Sequence, residues 1–236
     1  MHSGLTRIAL TLTCAFGAVG AEASDHWAFQ PVTRPSVPAV SGAAWPSGAL
    51  DHFVLAKLRE NGMQPARRAG RRTLIRRVTL DLTGLPPTPG EVDAFVAADS
   101  PGAYRRLVER VLASPRFGER WGRHWLDVAR YADTKGYLAG NQARLFTHSY
   151  TYRDYVIDAF NADLPYDRFI IEQVAADKLE LGDDKQPLAA MGFLTLGRRF
   201  LNNPHDIIDD RIDVVTRGMM GLTVSCARCH DHKYDP

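Results

Sequence analysis

The sequence predicts a mainly α fold, an irregular multi-helix domain with a C-x-x-C-H motif at the end of its last helix. Three observations carry that expectation. Apolar residues recur at three- and four-residue steps in segment after segment, the period of a helix with one buried face. No region reads as a series of alternating strands between turn signals. No internal repeat of fixed period is present, so the helices should pack on one another rather than stack as a solenoid.

The elements follow in order. Residues 24–48 carry Pro31, Pro35, Pro38 and Pro46 with little periodicity and read as an extended lead-in, anchored on the domain by Trp27, Phe29 and Trp45. A domain over residues 49–236 then begins. Ala49 to Asn61 places Leu50, Phe53, Val54 and Leu58 on one face, with Gly62 as the stop. Arg71 to Leu82 repeats the pattern through Leu74, Ile75 and Val78, and Gly84-Leu85-Pro86-Pro87 breaks it. Thr88-Pro89-Gly90-Glu91 is a capping box with proline at the first helical position. Pro101 starts a further helix with Tyr104, Leu107, Val108, Val111 and Leu112 inward. Pro115 to Asp133 is the most aromatic segment, and Trp121, Trp125 and Val128 predict a buried stripe. Leu138 to Ser149 reads as a loop. Tyr150–Phe160 and Tyr166–Leu179 are amphipathic, and Pro187–Leu196 is an apolar helix. Asp206 caps a final helix through Ile207, Ile208, Ile212, Val215, Met219 and Leu222, which delivers the motif.

Cys226, Cys229 and His230 spell C-x-x-C-H, the attachment signal of haem c. Two thiols must reach the two vinyl groups on one porphyrin edge, and residues three apart lie on one side of a helical turn. The imidazole of His230 then becomes the proximal ligand of the haem iron. Three other readings remain open. A zinc site could use Cys226, Cys229 and His232, but it lacks a fourth ligand, and adjacent Cys229 and His230 do not readily share one tetrahedral ion. A thioredoxin-like dithiol would sit near a βαβ pattern, which is absent here. The pair could also close as a plain disulfide. For the second axial position the candidates are His205, Met219, Met220 and His232, of which His205 is the best placed.

Residues 1–23 read as a signal peptide. Arg7 supplies the positive charge, Ile8–Ala21 is an apolar run too short to span a bilayer comfortably, and Ala21-Glu22-Ala23 fits a cleavage site. Cys14 leaves with the peptide, so the mature chain keeps only the two motif cysteines and has no disulfide framework. The expected location is exported, periplasmic or extracellular, with no membrane span after cleavage. A net charge of +2 implies no polyelectrolyte partner. The basic run Arg67–Arg72 with Arg76 and Arg77 lacks interleaved aromatics and reads as a solvated helix face, so no nucleic acid is expected.

One more polar set stands out. His124, Asp127, Arg130 and Asp133 recur at helical steps and read either as a site-lining face or as a surface network of ion pairs. Under the first of those readings, Trp121, His124, Asp127 and Asp133 are the candidate substrate face.

Asp51-His52-Phe53-Val54, Thr79–Pro87, Arg120–Asp133, Asp209–Asp213 and the terminal Cys226–Lys233 together resemble the DUF1549 family, the planctomycete cytochrome-c-like module called PSCyt2. The resemblance runs from about Ala49 to Pro236. It implies an exported haem protein with a redox role in the breakdown of complex polysaccharides, and it supplies no established reaction. It also implies a downstream DUF1553-like module of the same polypeptide and a redox partner, so the chain is expected to be a fragment, truncated at its C-terminus, with an apolar patch exposed around Val215, Met219, Leu222 and Val224. Two functions follow as expectations. One is electron transfer or haem-dependent saccharide oxidation. The other is a non-redox carbohydrate-binding or hydrolytic module in which the C-x-x-C-H is structural.

Overall fold

A computed structural model describes residues 30–40, 42, 45–135, 145–197 and 202–230. The expected signal peptide, Cys14, Trp27, Phe29 and the tail with His232 and Lys233 lie outside the described residues. The chain divides into two compact units, Met1–Arg67 and Arg68–Pro236. No helix among the described residues is long and apolar enough to cross a membrane.

Among the described residues of the first unit, the one helix is α1 (Ala49–Glu60). Its start is fixed by Asp51, whose carboxylate accepts from the backbone N–H of Ser47 at 2.8 Å and of Gly48 at 3.2 Å. Those are donors that a helix N-terminus otherwise leaves without partners. The described residues of the lead-in carry no regular secondary structure, and the His52 Nδ1 contacts the Pro38 carbonyl at 3.2 Å.

The regular structure described in the second unit is helical. It opens with α2 (Arg71–Thr83), closed by Gly84 at φ 71°, and α3 (Pro89–Ala97). The capping box forms as the sequence predicts: the Thr88 hydroxyl accepts from the Glu91 N–H while the Glu91 carboxylate accepts from the Thr88 N–H. With α4 (Ala103–Leu112), these helices enclose a small core of Ile75, Phe95, Leu107 and Val111.

The larger core is built on α5 (Arg116–Val128), α6 (Ser149–Asn161) and α7 (Tyr166–Ala175). It gathers Ala129, Tyr152, Tyr155, Val156, Phe169, Phe193 and Val214, with Trp125 packed against it. Here the predicted stripe is corrected. Trp121 and Val128 are exposed, and the buried face of α5 runs instead through Gly118 and Gly122. The reason is close approach to α6. A Cβ at Gly118 would lie 2.3 Å from the Ile157 carbonyl oxygen, and one at Gly122 would lie 3.3 Å from a Val156 methyl. Gly118 N–H also donates to Asn161 Oδ1 at 2.8 Å. Two small residues therefore face the partner helix; Trp121 between them points outward, and Trp125, one turn after Gly122, packs beside Phe169 and Phe193.

Polar groups thread this core. The fully buried Gln173 accepts through Oε1 from the Tyr152 hydroxyl at 2.7 Å and from Trp125 Nε1 at 3.3 Å. The Tyr155 hydroxyl donates to Glu172 at 2.7 Å, and Arg168 donates to the other oxygen of that carboxylate at 2.6 Å. Burial pushes both tyrosine hydroxyls upward from their ordinary range, so both remain protonated donors.

After α7 the chain takes tighter turns than the apolar pattern predicts. Ala176–Lys178 and Gln186–Met191 are 3₁₀ segments and α8 (Gly192–Thr195) is a single turn. Gly192 packs on the Tyr152 side chain, where an added Cβ would sit 2.6 Å away. The last helix is α9 (Pro204–Val215), followed by a π-helical turn at Thr216–Met220. No strand forms among the described residues, only one isolated bridge between Thr134 and Leu145.

Candidate haem-attachment site

The site is built from α9 upward. Asn203, rather than Asp206, caps the helix: its side chain accepts from the His205 N–H at 3.1 Å, with Pro204 at the first helical position. That leaves Asp206 free for another role. Asp206, Asp209, Asp210 and Asp213 follow the i, i+3, i+4, i+7 rule and share one face of α9. Four carboxylates on one face repel each other, and three arginines from elsewhere answer them. Arg228 contacts Asp206 at 2.6 Å and Asp209 at 2.6 Å, Arg130 binds Asp210 at 2.7 Å, and Arg217 binds Asp213 at 2.6 Å.

The helix does not run on into the motif. Gly221 at φ 68° turns the chain, Leu222–Val224 takes no regular secondary structure, and Ser225–Arg228 forms a separate 3₁₀ turn that folds back along α9. The Cys229 N–H donates to the Cys226 carbonyl at 3.2 Å. With three residues per turn, side chains at i and i+3 eclipse. Cys226 and Cys229 therefore share one face of the turn, and Ser225 and Arg228 a second. Arg228 pins its own face to α9. A cleft of about 540 Å³ opens between turn and helix, lined by Asp206, Asp209, Asp213, Ser225, Ala227 and Arg228, and neither cysteine lines it. Both cysteines are free thiols and exposed. His230 is exposed beside them.

The donor set fits a covalent haem: two thiols not joined in a disulfide, on one face of the turn, and an imidazole immediately after them. The candidates for the second axial position are scattered. Met219 packs against the core, Met220 is 62% exposed and His205 is exposed at the start of α9. Among the described residues, no three His, Cys, Asp or Glu side chains converge as a metal-binding group; His232, the third ligand of the zinc alternative, lies outside them. The apolar side chains exposed nearby are Ile208, Ile212, Met220 and Leu222. Val215 and Met219, expected in that patch, are turned into the core, and Val224 is half-buried.

The second set of residues is divided by the fold. Trp121 and His124 meet on α5 with ring centroids 5.5 Å apart, and Asp127 lies exposed one turn on. The helix ends before Asp133. Arg130 adopts φ 57°, and Asp133 sits beyond the turn, where its carboxylate accepts from the Tyr131 hydroxyl at 2.7 Å and the Ser149 hydroxyl at 3.1 Å. These hydroxyls hold the Asp133 carboxyl below its ordinary range. Arg130 does not join a network along α5. It crosses 80 residues of sequence to Asp210, and both side chains are mostly buried, 20% and 14% exposed. Burial lowers the Arg130 pKa and raises that of Asp210, against their mutual attraction. This pair joins the Arg120–Asp133 segment to the Asp209–Asp213 segment.

Residues 49–236 match the family described as a protein of unknown function, PSCyt2 (DUF1549). The chain belongs to the PSCyt2 family. No curated protein and no solved structure shows measurable similarity to it. The PSCyt2 match spans α1 through the C-x-x-C-H turn, so the acidic ladder of α9, the arginines that answer it and the thiol pair all lie inside the family domain.

Proposed function

We propose that this PSCyt2 chain is an exported c-type haem module that passes electrons to or from a redox partner. The observation that supports it is the thiol face: two free, exposed cysteines eclipsed on one 3₁₀ turn, with His230 next in the chain. Cys226 and Cys229 would each add across one vinyl group, sulfur to one carbon and the thiol hydrogen to the other, so the bonds form without an oxidant. His230 would hold the iron on the proximal side. Bound there, the haem supplies a one-electron ferrous–ferric couple. The chain's own contribution is orientation, because the Arg228 ion pairs hold the turn with its thiols outward. Oxidative breakdown of complex polysaccharides is the process such a module would serve, with a downstream DUF1553-like module as its covalent neighbour.

A non-redox reading has one observation in its favour. Trp121 is 38% exposed beside His124 and offers an aromatic platform for a saccharide ring.

Export of the whole chain in a host with a cytochrome c maturation system tests the first reading. The expected product has a Soret band that survives acid-acetone extraction, and replacing both Cys226 and Cys229 with Ala abolishes it. A haem-free mature protein under those conditions, or an unchanged haem adduct by mass spectrometry in the double variant, overturns it.

A further inference from the structure

A cleft remote in sequence from the C-x-x-C-H turn has a composition that neither reading uses. It lies where the N-terminal half of α5 meets the α6–α7 corner, has a volume of about 250 Å³, and is lined by Phe117, Trp125, Phe160, Asp163, Tyr166 and Phe169, with Ala159 and Leu164. The aromatic rings are packed at angles, with Trp125 edge-on to Phe169 at 4.9 Å and Phe160 edge-on to the same ring at 6.0 Å. Tyr166 stands at the rim, 65% exposed. Among the described residues, no lysine or arginine lines the cleft and Asp163 is its one charged side chain.

Asp163 occupies an unusual backbone position. It follows the C-terminus of α6 at φ 49°. The Asp163 N–H donates to the Phe160 carbonyl at 3.2 Å and the Leu164 N–H to the Ala159 carbonyl at 2.9 Å, the closure that glycine normally supplies. An aspartate pays a steric cost at that φ that glycine would not. The side chain is thus placed on the cleft wall at a position where the backbone alone would favour having none.

We infer that this cleft binds a quaternary or methylated ammonium group. Aromatic faces carry negative potential, and a cation within about 6 Å of a ring centroid is attracted to it. One carboxylate adds the counter-charge. Other ligand classes fit less well. A sugar would lose its water hydrogen bonds to a wall whose free polar side-chain groups, among the described residues, are the Asp163 carboxylate and the Tyr166 hydroxyl, since Trp125 Nε1 is already engaged by Tyr152 and Gln173. A small inorganic cation needs several oxygen ligands, and one carboxylate cannot replace its hydration shell. An alkylated ammonium is weakly hydrated and presents methyl groups to the rings. This inference does not depend on the haem proposal.

Calorimetric titration of the whole chain at fixed ionic strength tests it. The probes are choline, its neutral carbon isostere 3,3-dimethyl-1-butanol, and maltohexaose. Choline should bind saturably, and the neutral isostere about tenfold more weakly. Asp163→Asn should weaken choline about five- to tenfold. Asp163→Gly should weaken it equally while keeping or raising the melting temperature, since glycine suits that φ, and this separates binding from folding. Equal affinity for the neutral isostere, no saturable choline binding, or full affinity in both Asp163 variants overturns the inference. Displacement of choline by maltohexaose overturns it in favour of a saccharide site.

Discussion

Asp210→Asn removes the counter-charge of Arg130 while leaving its guanidinium in place. Arg130 already has two N–H-bearing atoms, Nε and Nη1, buried without a hydrogen-bond partner, and its Nη2 bond to Asp210 at 2.7 Å is the contact that offsets its burial. Breaking one side of a fully buried ion pair costs about 3–5 kcal/mol. The side chains here are 20% and 14% exposed, so screening lowers the expected cost to about 2–4 kcal/mol. For a chain of this size that is a fall of about 5–15 °C in melting temperature. The pKa directions add a second expectation. Burial raises the Asp210 carboxyl above its usual 3.8, more than Arg130 lowers it. The folded state then holds that proton more tightly than the unfolded state. Its contribution is fully present below pH 3.8 and is lost as pH rises through the folded-state pKa. At neutral pH the ionised pair is therefore not a source of net stability. The double variant Arg130→Met/Asp210→Leu should consequently recover most of the loss, giving a strongly non-additive cycle. Thermal and urea unfolding of the wild type, both single variants and the double measure this. Single variants within about 0.5 kcal/mol of wild type, or a double that loses the sum of the singles, would refute the reasoning.

Three further expectations concern other parts of the chain. Trp125→Ala should destabilise the fold by about 3 kcal/mol, because the ring packs on Phe169 and Phe193 and donates to Tyr152 and Gln173; an unchanged urea midpoint would contradict its place in the core. Glu91, held down to about 2 first by the Thr88 backbone N–H and then by Arg110, contributes stability that is present above pH 4.5 and lost as pH falls through about 2. Glu91→Gln should flatten that acid limb, and a variant with the same limb as wild type counts against the capping box. Arg228→Ala should leave the melting temperature nearly unchanged, since its ion pairs are half exposed, yet accelerate amide exchange at Cys229 as the turn comes away from α9. Unchanged exchange at that amide would show that the turn holds itself.

Much of this architecture is legible in the sequence because it is local. The Thr88–Glu91 capping box, the stop at Gly84 and the spacing of Leu107 and Val111 each depend on residues within one or two turns. The motif is local for the same reason, five residues with the whole donor set. What was not legible is set by partners far along the chain. Trp121 and Trp125 share helical spacing, and only the approach of α6 to Gly118 decides which of them is buried. Arg130 has Asp127 and Asp133 close in sequence but pairs with Asp210, because the chain turns at φ 57° just after α5. The sequence predicts a continuous final helix because Val215, Met219 and Leu222 keep its period. The backbone leaves that period at Thr216, and the ion pairs of Arg228 fold the motif back, which hydrophobic spacing cannot encode.

The two glycines of α5 have different evolutionary freedom. At Gly118 the obstacle to any side chain is a backbone oxygen of α6, and no substitution elsewhere can remove a backbone oxygen. At Gly122 the nearest obstacle is a methyl of Val156, which a smaller residue at that position would withdraw. Position 118 is therefore closed to drift by its own geometry. Position 122 can change, provided that residue 156 changes with it. A paired substitution of that kind would be a record, written in sequence alone, that these two helices touch.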